Sequence, residues 1–168
     1  MEGIKETYEN IYNVAADAVV NMWRMQGHEL TGRAVREMRM QVIETASGID
    51  INGLVLDYMA RVNEGTPADK IIVNSRYVSE LTDYVIRRGI ESGRKEAESI
   101  AYRIASRHGK EGNPTIASKR FSKTGKRTGF IEDGLEGAKN EIEEATRRAF
   151  AIIIESRIET FFKTKLNR

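Results

Sequence analysis

Apolar residues recur at steps of three and four near the start of the chain and predict a long amphipathic helix. The stripe contains Ile4, Tyr8, Ile11, Tyr12, Ala15, Ala18, Val19, Met22 and Trp23. Residues at this spacing lie on one face of a helix, and Gly27 is a natural stop after it. Because the stripe is broad enough for core packing and a subunit contact together, we expect Val19, Met22 and Trp23 to contact a partner.

The next stretch changes its period and predicts two short strands. Apolar residues alternate in LTGRAVREMRMQVIE at Ala34, Met38, Met40 and Val42, and GIDINGLVLDY mixes β-branched residues with turn glycines. The same stretch also fits a helical stripe from Arg33 to Thr45, and periodicity alone does not decide between the two.

Three further helices are predicted downstream. Ser79 is a candidate N-cap for a helix over ELTDYVIRRGI, which forms a helical hairpin with a second helix that ends at Gly109. A near-heptad stripe from Leu135 to Ile153 predicts a long amphipathic helix, broken near Gly134 or Gly137. With the strands, these helices predict an α+β fold: a small antiparallel β-sheet flanked by helices, in a single domain over residues 1–168.

Composition narrows the classes of function. The chain has 168 residues, of which 40% are hydrophobic and 31% charged, as in a globular domain. It contains no Cys, which excludes disulfides and thiolate chemistry and argues against zinc. No apolar run reaches the roughly 18 residues that span a bilayer, and residues 1–16 lack the apolar block of a signal peptide. We expect a protein of cytosolic origin that does not contact a membrane.

The net charge of +2 conceals a basic segment between Arg107 and Thr128. Its cations are Arg107, Lys110, Lys119, Arg120, Lys123, Lys126 and Arg127. Glu111 is its only acid, so the segment carries +6 and the remainder of the chain −4. Its polar composition predicts a flexible loop over residues 109–128, without secondary structure, whose cations bind a partner. An acidic protein surface fits such a loop, and so does a nucleic acid.

No pattern in the sequence predicts an active site. SKTGKRTG departs from the phosphate-binding loop because Arg127 follows the Gly-Lys pair where a hydroxyl residue is needed. His28 and His108 fall near helix ends, where a cationic imidazole suits the helix dipole. Glu143 and Glu144 have compensating arginines on the same helix and predict a solvated face. We therefore expect no enzyme activity, no cofactor and no metal.

The stretch YMARVNEGTPADKI resembles a motif of a known family. Its matching residues are Tyr58, Ala60, Glu64, Gly65 and Thr66. LTGRAVREM before it looks like a Thr-Gly entry into a first strand, and the passage from LTDYVIRRGI to HGKEGNPT follows in the family's order. Over about residues 30–150, the chain resembles the bacteriophage tail-completion or neck family of head-tail joining proteins.

The resemblance implies a noncatalytic structural protein of the virion. Such proteins form a homo-oligomeric ring at the head-tail junction, join the portal-connector complex to the tail and seal the genome channel. The implied partners are further copies, portal or connector proteins and tail proteins, with transient contact to genomic DNA; before assembly, the implied location is the host cytoplasm. Glu64 would hydrogen-bond turn amides or meet a cation on the next subunit, and Gly65 would permit a turn.

The alternative is a nucleic-acid-binding protein that uses the basic segment over residues 107–128. Seven cations would neutralise several phosphates. However, Phe121 and Phe130 are the only aromatic residues interleaved with these cations, fewer than a base-stacking platform usually presents.

Overall fold

The structure is a computed structural model that describes residues 2–28, 32–45 and 48–166. The helices and strands, in chain order, are α1 (Glu2–Met25), α2 (Arg33–Glu37), β1 (Arg39–Thr45), β2 (Gly48–Leu54), α3 (Asp57–Glu64), α4 (Ser75–Arg87), α5 (Arg94–Glu111), α6 (Phe130–Gly137) and α7 (Lys139–Leu166). Two short 3₁₀ helices cover Ala68–Lys70 and Ile116–Phe121.

The predicted fold class, α+β with a small antiparallel β-sheet flanked by helices, is wrong because the chain is mostly helical. β1 and β2 pair as an antiparallel hairpin, with Arg39 opposite Leu54 and Thr45 opposite Gly48. In the described part of the chain they pair with no further strand. The alternating pattern covers only seven residues per strand, whereas helical stripes account for most of the remaining length.

The stretch after α1 combines the two alternatives that periodicity left open. Residues Arg33–Glu37 are helical, and the strand begins only at Arg39, so Ala34 is a buried helical residue. The predicted entry into a strand at this point is therefore wrong. Leu30 and Thr31, together with the side chains of Ile4, Met40 and Val42, lie outside the described residues.

The helical predictions are confirmed where the apolar stripes are long. α1 covers the first stripe, α4 and α5 form the predicted hairpin, and the C-terminal stripe is broken after Gly137. α4 begins earlier than predicted because Asn74, not Ser79, is its N-cap: the Asn74 Oδ1 accepts a hydrogen bond from the Tyr77 amide at 2.9 Å. α5 passes through Gly109 and ends at Glu111.

The chain divides into two compact units that alternate along the sequence. Unit 1 contains Met1–Met22, Met38–Val55 and Ile131–Arg168, and unit 2 contains Trp23–Glu37 and Leu56–Phe130. Unit 1 has 9 Lys and Arg against 14 Asp and Glu, which gives −5; unit 2 has 18 against 11, which gives +7. The single domain over residues 1–168 stays a prediction.

In unit 1, α6 approaches α1 at a glycine. Gly134 is buried, and a Cβ placed there would lie 3.0 Å from both the Ala18 carbonyl oxygen and the Val19 Cα. Only a residue without a side chain permits this approach. The α6–α7 region buries one apolar stripe, formed by Ala138, Ala145, Ala149 and Ile153.

In unit 2, the α4–α5 hairpin packs through small side chains. Ala97, Ala101 and Ala105 follow one another at four-residue spacing on α5 and are fully buried. Thr82 of α4 is also buried, and its hydroxyl donates a hydrogen bond to the Val78 carbonyl at 2.8 Å. Its polar group is therefore satisfied within its own helix.

Candidate protein interaction surface

The part of the basic segment that follows α5 is held at both ends by the end of α3 and the turn after it. At its start, the Thr66 amide donates to the Asn113 carbonyl at 2.7 Å and the Asn113 amide donates to the Thr66 carbonyl at 2.8 Å. At its end, the Gly129 amide donates to the Asn63 carbonyl at 2.8 Å. The end of α3 and its turn therefore fix both ends of this part of the segment.

Inside the segment, residues Ile116–Phe121 form a 3₁₀ helix with defined caps. The buried Thr115 accepts a hydrogen bond from the Ser118 amide at its side-chain oxygen (3.2 Å) and another from the Ser118 hydroxyl at its carbonyl (2.7 Å). A Glu111 carboxylate oxygen accepts from the Ile116 amide at 3.0 Å. The predicted absence of secondary structure over residues 109–128 is therefore wrong, while mobility in the free subunit stays a prediction.

The middle of the segment lies against the C-terminal end of α1. The Lys123 amide donates to the Met25 carbonyl at 2.8 Å. Gly27 has a φ of 73°, and a Cβ there would lie 2.6 Å from the Phe121 carbonyl oxygen. Contact this close requires glycine at position 27 for two reasons, backbone conformation and space.

Two arginines converge on the Gly27 carbonyl. The Arg88 Nη2 donates to this oxygen at 2.9 Å and the Arg127 Nη2 at 3.3 Å. Positive groups are favourable at the carbonyl end of a helix. Arg127 is half-buried, and burial lowers the pKa of its guanidinium. Arg127, predicted to bind a partner, holds the segment against the end of α1 through this bond, and its contact with a partner stays a prediction.

His28 lies in the same cluster as a neutral imidazole. Arg127 Nη2 is 3.4 Å from its Nδ1, and Gln26 Oε1 is 3.3 Å from its Nε2, which suits a neutral ring that accepts at the first nitrogen and donates at the second. Burial, followed by the charges of Arg127 and Arg88, lowers the pKa of His28 to about 4. The predicted cationic imidazole at this helix end is therefore wrong.

His108 is also held in its neutral form. Its Nδ1 is 2.6 Å from the Tyr77 hydroxyl, and burial lowers its pKa although Glu111 acts in the opposite direction. Neither histidine fits the expectation based on the helix dipole. No group of three or more His, Cys, Asp or Glu residues that could hold a metal occurs among the described residues.

Four residues around the 3₁₀ helix define an exposed basic surface: Lys119, Arg120, Phe121 and Lys123. The Arg120 guanidinium lies 4.7 Å from the centre of the Phe121 ring, and 62% of Phe121 is exposed. Ile116, at the start of the same 3₁₀ helix, is 75% exposed. The basic surface thus combines cations with large apolar side chains on an ordered backbone.

The remaining predicted cations lie elsewhere. Arg107 is on α5, where its Nε is 3.2 Å from a Glu111 carboxylate oxygen. Lys110 is exposed near the end of α5, and Lys126 is exposed in the turn after the 3₁₀ helix. The seven cations do not form one loop surface.

Two of the three residues predicted to form a partner contact on α1 are buried. Trp23 is 3% exposed and Val19 is 6% exposed, whereas Met22 is half-buried. The Trp23 ring packs edge-on against Phe130, with 4.9 Å between ring centres, and against Tyr58 at 6.2 Å. The chain itself covers most of Trp23 and Val19, so these two side chains expose little surface; their contact with a partner stays a prediction.

The residues of the family motif lie on α3 and in the turn after it. Tyr58 and Ala60 are on α3, and Gly65 ends the helix with a φ of 77°, as expected for a turn glycine. A Cβ at Gly65 would lie 3.2 Å from the Asn113 carbonyl oxygen. Glu64 is exposed and makes no hydrogen bond to turn amides of the described residues, so that expected role is wrong.

Sequence reasoning missed an apolar surface on the last five turns of α7. Its members are Phe150, Ile154, Ile158, Phe161 and Phe162, each about half-exposed or more; Ile152 is also about half-exposed but lies on another face of the helix. Phe161 is 58% exposed and Phe162 is 56% exposed. The predicted stripe ended at Ile153, but the run RIETFFKTKL beyond it already carried the signal. We call Phe150, Ile154, Ile158, Phe161 and Phe162 the α7 surface.

No protein-family model, no curated protein and no solved structure matches this chain. In the part of the chain that the structure describes, no helix is long and apolar enough to cross a membrane.

Proposed function

We propose that the protein is a noncatalytic structural subunit of a tailed-bacteriophage particle, which assembles as a homo-oligomeric ring at the head-tail junction. In that position it joins the portal-connector complex to the tail and seals the genome channel. The resemblance of residues 30–150 to the tail-completion and neck family supports the location. The α7 surface supports the assembly.

The observation that carries the proposal is the exposure of five large apolar side chains on one face of α7. Scattered exposed apolar residues are normal, but a concentration of them marks a surface that another protein covers. Burying a Phe side chain contributes about 1.5–3 kcal/mol. Repeated around a ring, such contacts hold a stable joint.

The alternative, a nucleic-acid-binding protein, is weakened by the positions of the cations. Affinity for a phosphate backbone grows with the number of neutralised phosphates. Of the seven cations in the segment, Arg127 is directed to the Gly27 carbonyl and Arg107 is paired with Glu111. Phe121 is an exposed aromatic residue of the segment, whereas Phe130 is buried.

The test is to locate the protein by negative-stain electron microscopy with gold-labelled antibody, both purified and in particles. We expect ring-shaped oligomers and a label at the head-tail junction. Phe161→Asp with Phe162→Asp should abolish the ring-shaped oligomers. Loss of each phenyl side chain from the contact between copies should weaken their association about tenfold or more.

Ser156→Asp is the matched control, because Ser156 is an exposed polar residue of the same helix. It adds a negative charge without removing apolar surface and should leave assembly unchanged. Label on the tail shaft or capsid, or rings that persist in the Phe161 and Phe162 variant, would contradict the proposal.

A further inference from the structure

We infer that the basic surface docks on the acidic segment of a second copy of this chain, in a head-to-tail contact that repeats around the ring. The acidic segment is residues 132–144, and the inference rests on the ring proposed above. It names the partner of the basic surface: the same protein, not DNA.

Charge complementarity selects this partner. The acidic segment contains Glu132, Asp133, Glu136, Glu141, Glu143 and Glu144. With Lys139 as its only cation, its net charge is −5, against +6 for the basic segment between Arg107 and Thr128. Two segments of nearly equal and opposite charge attract one another when presented by different copies.

The residues that would meet have no ion pair of their own. Lys119 and Lys123 in the basic surface, and Glu136 and Glu141 in the acidic segment, are exposed and form no ion pair among the described residues. Other exposed acids are already paired within a helix, such as Glu144 with Arg148 at 3.0 Å. These four side chains are therefore available for contact with another molecule.

Both surfaces also carry an apolar anchor. Ile116 and Phe121 are 75% and 62% exposed beside the cations, and Leu135 is 38% exposed between acidic residues of α6. A buried apolar centre with a charged rim is the usual organisation of a specific interface. Because Ile116 and Phe121 of the basic surface have an apolar counterpart in Leu135 of the acidic segment, the combination favours a protein partner.

Head-to-tail contact also accounts for the symmetry of the proposed assembly. Each copy offers one basic and one acidic surface, which are different patches, so the contact is heterologous. Heterologous contacts close into a ring when the rotation between neighbours permits it. The segment needs no large rearrangement for docking, because its 3₁₀ helix is held by hydrogen bonds within the subunit.

The experiment mixes isotopically labelled and unlabelled copies and joins touching Lys and Glu side chains with a zero-length carbodiimide cross-linker. Mass spectrometry then separates links between copies, which carry mixed isotopes, from links within one copy. We expect mixed-isotope links from Lys119 or Lys123 to Glu136 or Glu141. Their absence, or links confined to single copies, overturns the inference.

Charge reversal provides an independent arm. Lys119→Glu with Lys123→Glu, or Glu136→Lys with Glu141→Lys, should each weaken self-association about tenfold, and mixing the two variants should restore it. Lys95→Glu with Arg103→Glu is the matched control, because these exposed α5 cations lie outside the basic surface. Unaltered association in both reversed variants, or no recovery on mixing, contradicts the inference.

Further results distinguish a failure of this inference from a failure of the proposed function, and distinguish binding between copies from binding to DNA. If the protein forms a ring at the head-tail junction but the expected cross-links are absent, this inference is wrong and the proposed function stands. If the cross-links form but the antibody does not label the junction, the proposed function is wrong and the contact between copies stands. Tight binding of short duplex DNA that Lys119→Glu with Lys123→Glu abolishes, without links between copies, assigns the basic surface to nucleic acid.

Discussion

Gly27 and Gly89 form a matched pair that isolates the contact between α1 and the basic segment. Each stands after the end of a helix and donates its amide to a carbonyl three residues earlier, Gly27 to Arg24 and Gly89 to Ile86, both at 2.9 Å. The next amide bonds five residues back in both cases, which completes the same C-terminal capping motif. Their φ values are 73° and 65°.

The surroundings of the two glycines differ. A Cβ at position 27 would lie 2.6 Å from the Phe121 carbonyl oxygen, whereas a Cβ at position 89 would meet nothing within 4 Å. Alanine in the left-handed region costs roughly 1–2 kcal/mol at either site. At position 27 overpacking against backbone adds about 1–3 kcal/mol. We therefore expect Gly27→Ala to lower the free energy of unfolding by about 1–3 kcal/mol more than Gly89→Ala.

The measurement is unfolding in denaturant, followed by the fluorescence of Trp23. Trp23 is the only Trp of the sequence, is 3% exposed and packs beside His28 and Phe130. Hydrogen exchange at the Lys123 amide provides a local measure, because that amide donates to the Met25 carbonyl. Exchange should accelerate in Gly27→Ala and not in Gly89→Ala. Equal destabilisation by both substitutions, with unchanged exchange, would refute the close docking of the segment on α1.

Two further predictions concern stability. The pKa of His28 is about 4 in the folded protein, below its usual 6.5, so the unfolded chain binds the proton first and stability falls as the pH falls from 6.5 towards 4. The melting temperature of His28→Gln should therefore drop less between pH 7.5 and 5.0 than that of the unchanged protein, and equal drops would contradict the prediction. Gly134→Ala should destabilise by about 1–3 kcal/mol because its Cβ would lie 3.0 Å from α1 backbone, whereas Gly137→Ala, with nothing within 4 Å, should not destabilise; thermal unfolding of both variants decides.

The sequence predicted the long helices because a 3.6-residue period is unambiguous over many turns. α1, the α4–α5 hairpin and α7 each repeat their apolar spacing several times. The fold class failed because the alternating stretch around Ala34 is short and its first part is helical. Seven-residue strands that pair as a hairpin do not create a sheet on which helices pack.

The candidate site was only partly predictable, because sequence reveals charge but not the direction of a side chain. Arg127 and Lys123 are close neighbours in one basic run, yet Arg127 bonds to a carbonyl 100 residues away while Lys123 is exposed. Arg127 donates to a backbone carbonyl oxygen. Every residue has such an oxygen, so the sequence does not indicate which one Arg127 contacts. The burial of Trp23 could not be read from the sequence for the same reason, since Phe130, which packs against it, is distant in sequence.

The motif residues at the end of α3 and the basic segment, which are separate features of the sequence, are joined by backbone hydrogen bonds in the structure. Thr66, after Gly65, pairs with Asn113 just after α5, and the Asn63 carbonyl on α3 accepts a hydrogen bond from the Gly129 amide just after the segment. Because two fixed ends limit the paths of the chain between them, the turn, together with the contact of Lys123 with the end of α1, positions Lys119 and Lys123. A glycine is needed at position 65 because a side chain there would press on the Asn113 carbonyl at 3.2 Å. The short motif therefore helps to position cations that lie more than fifty residues downstream, and in the assembly proposed above it would act through this positioning and not through contact with a partner.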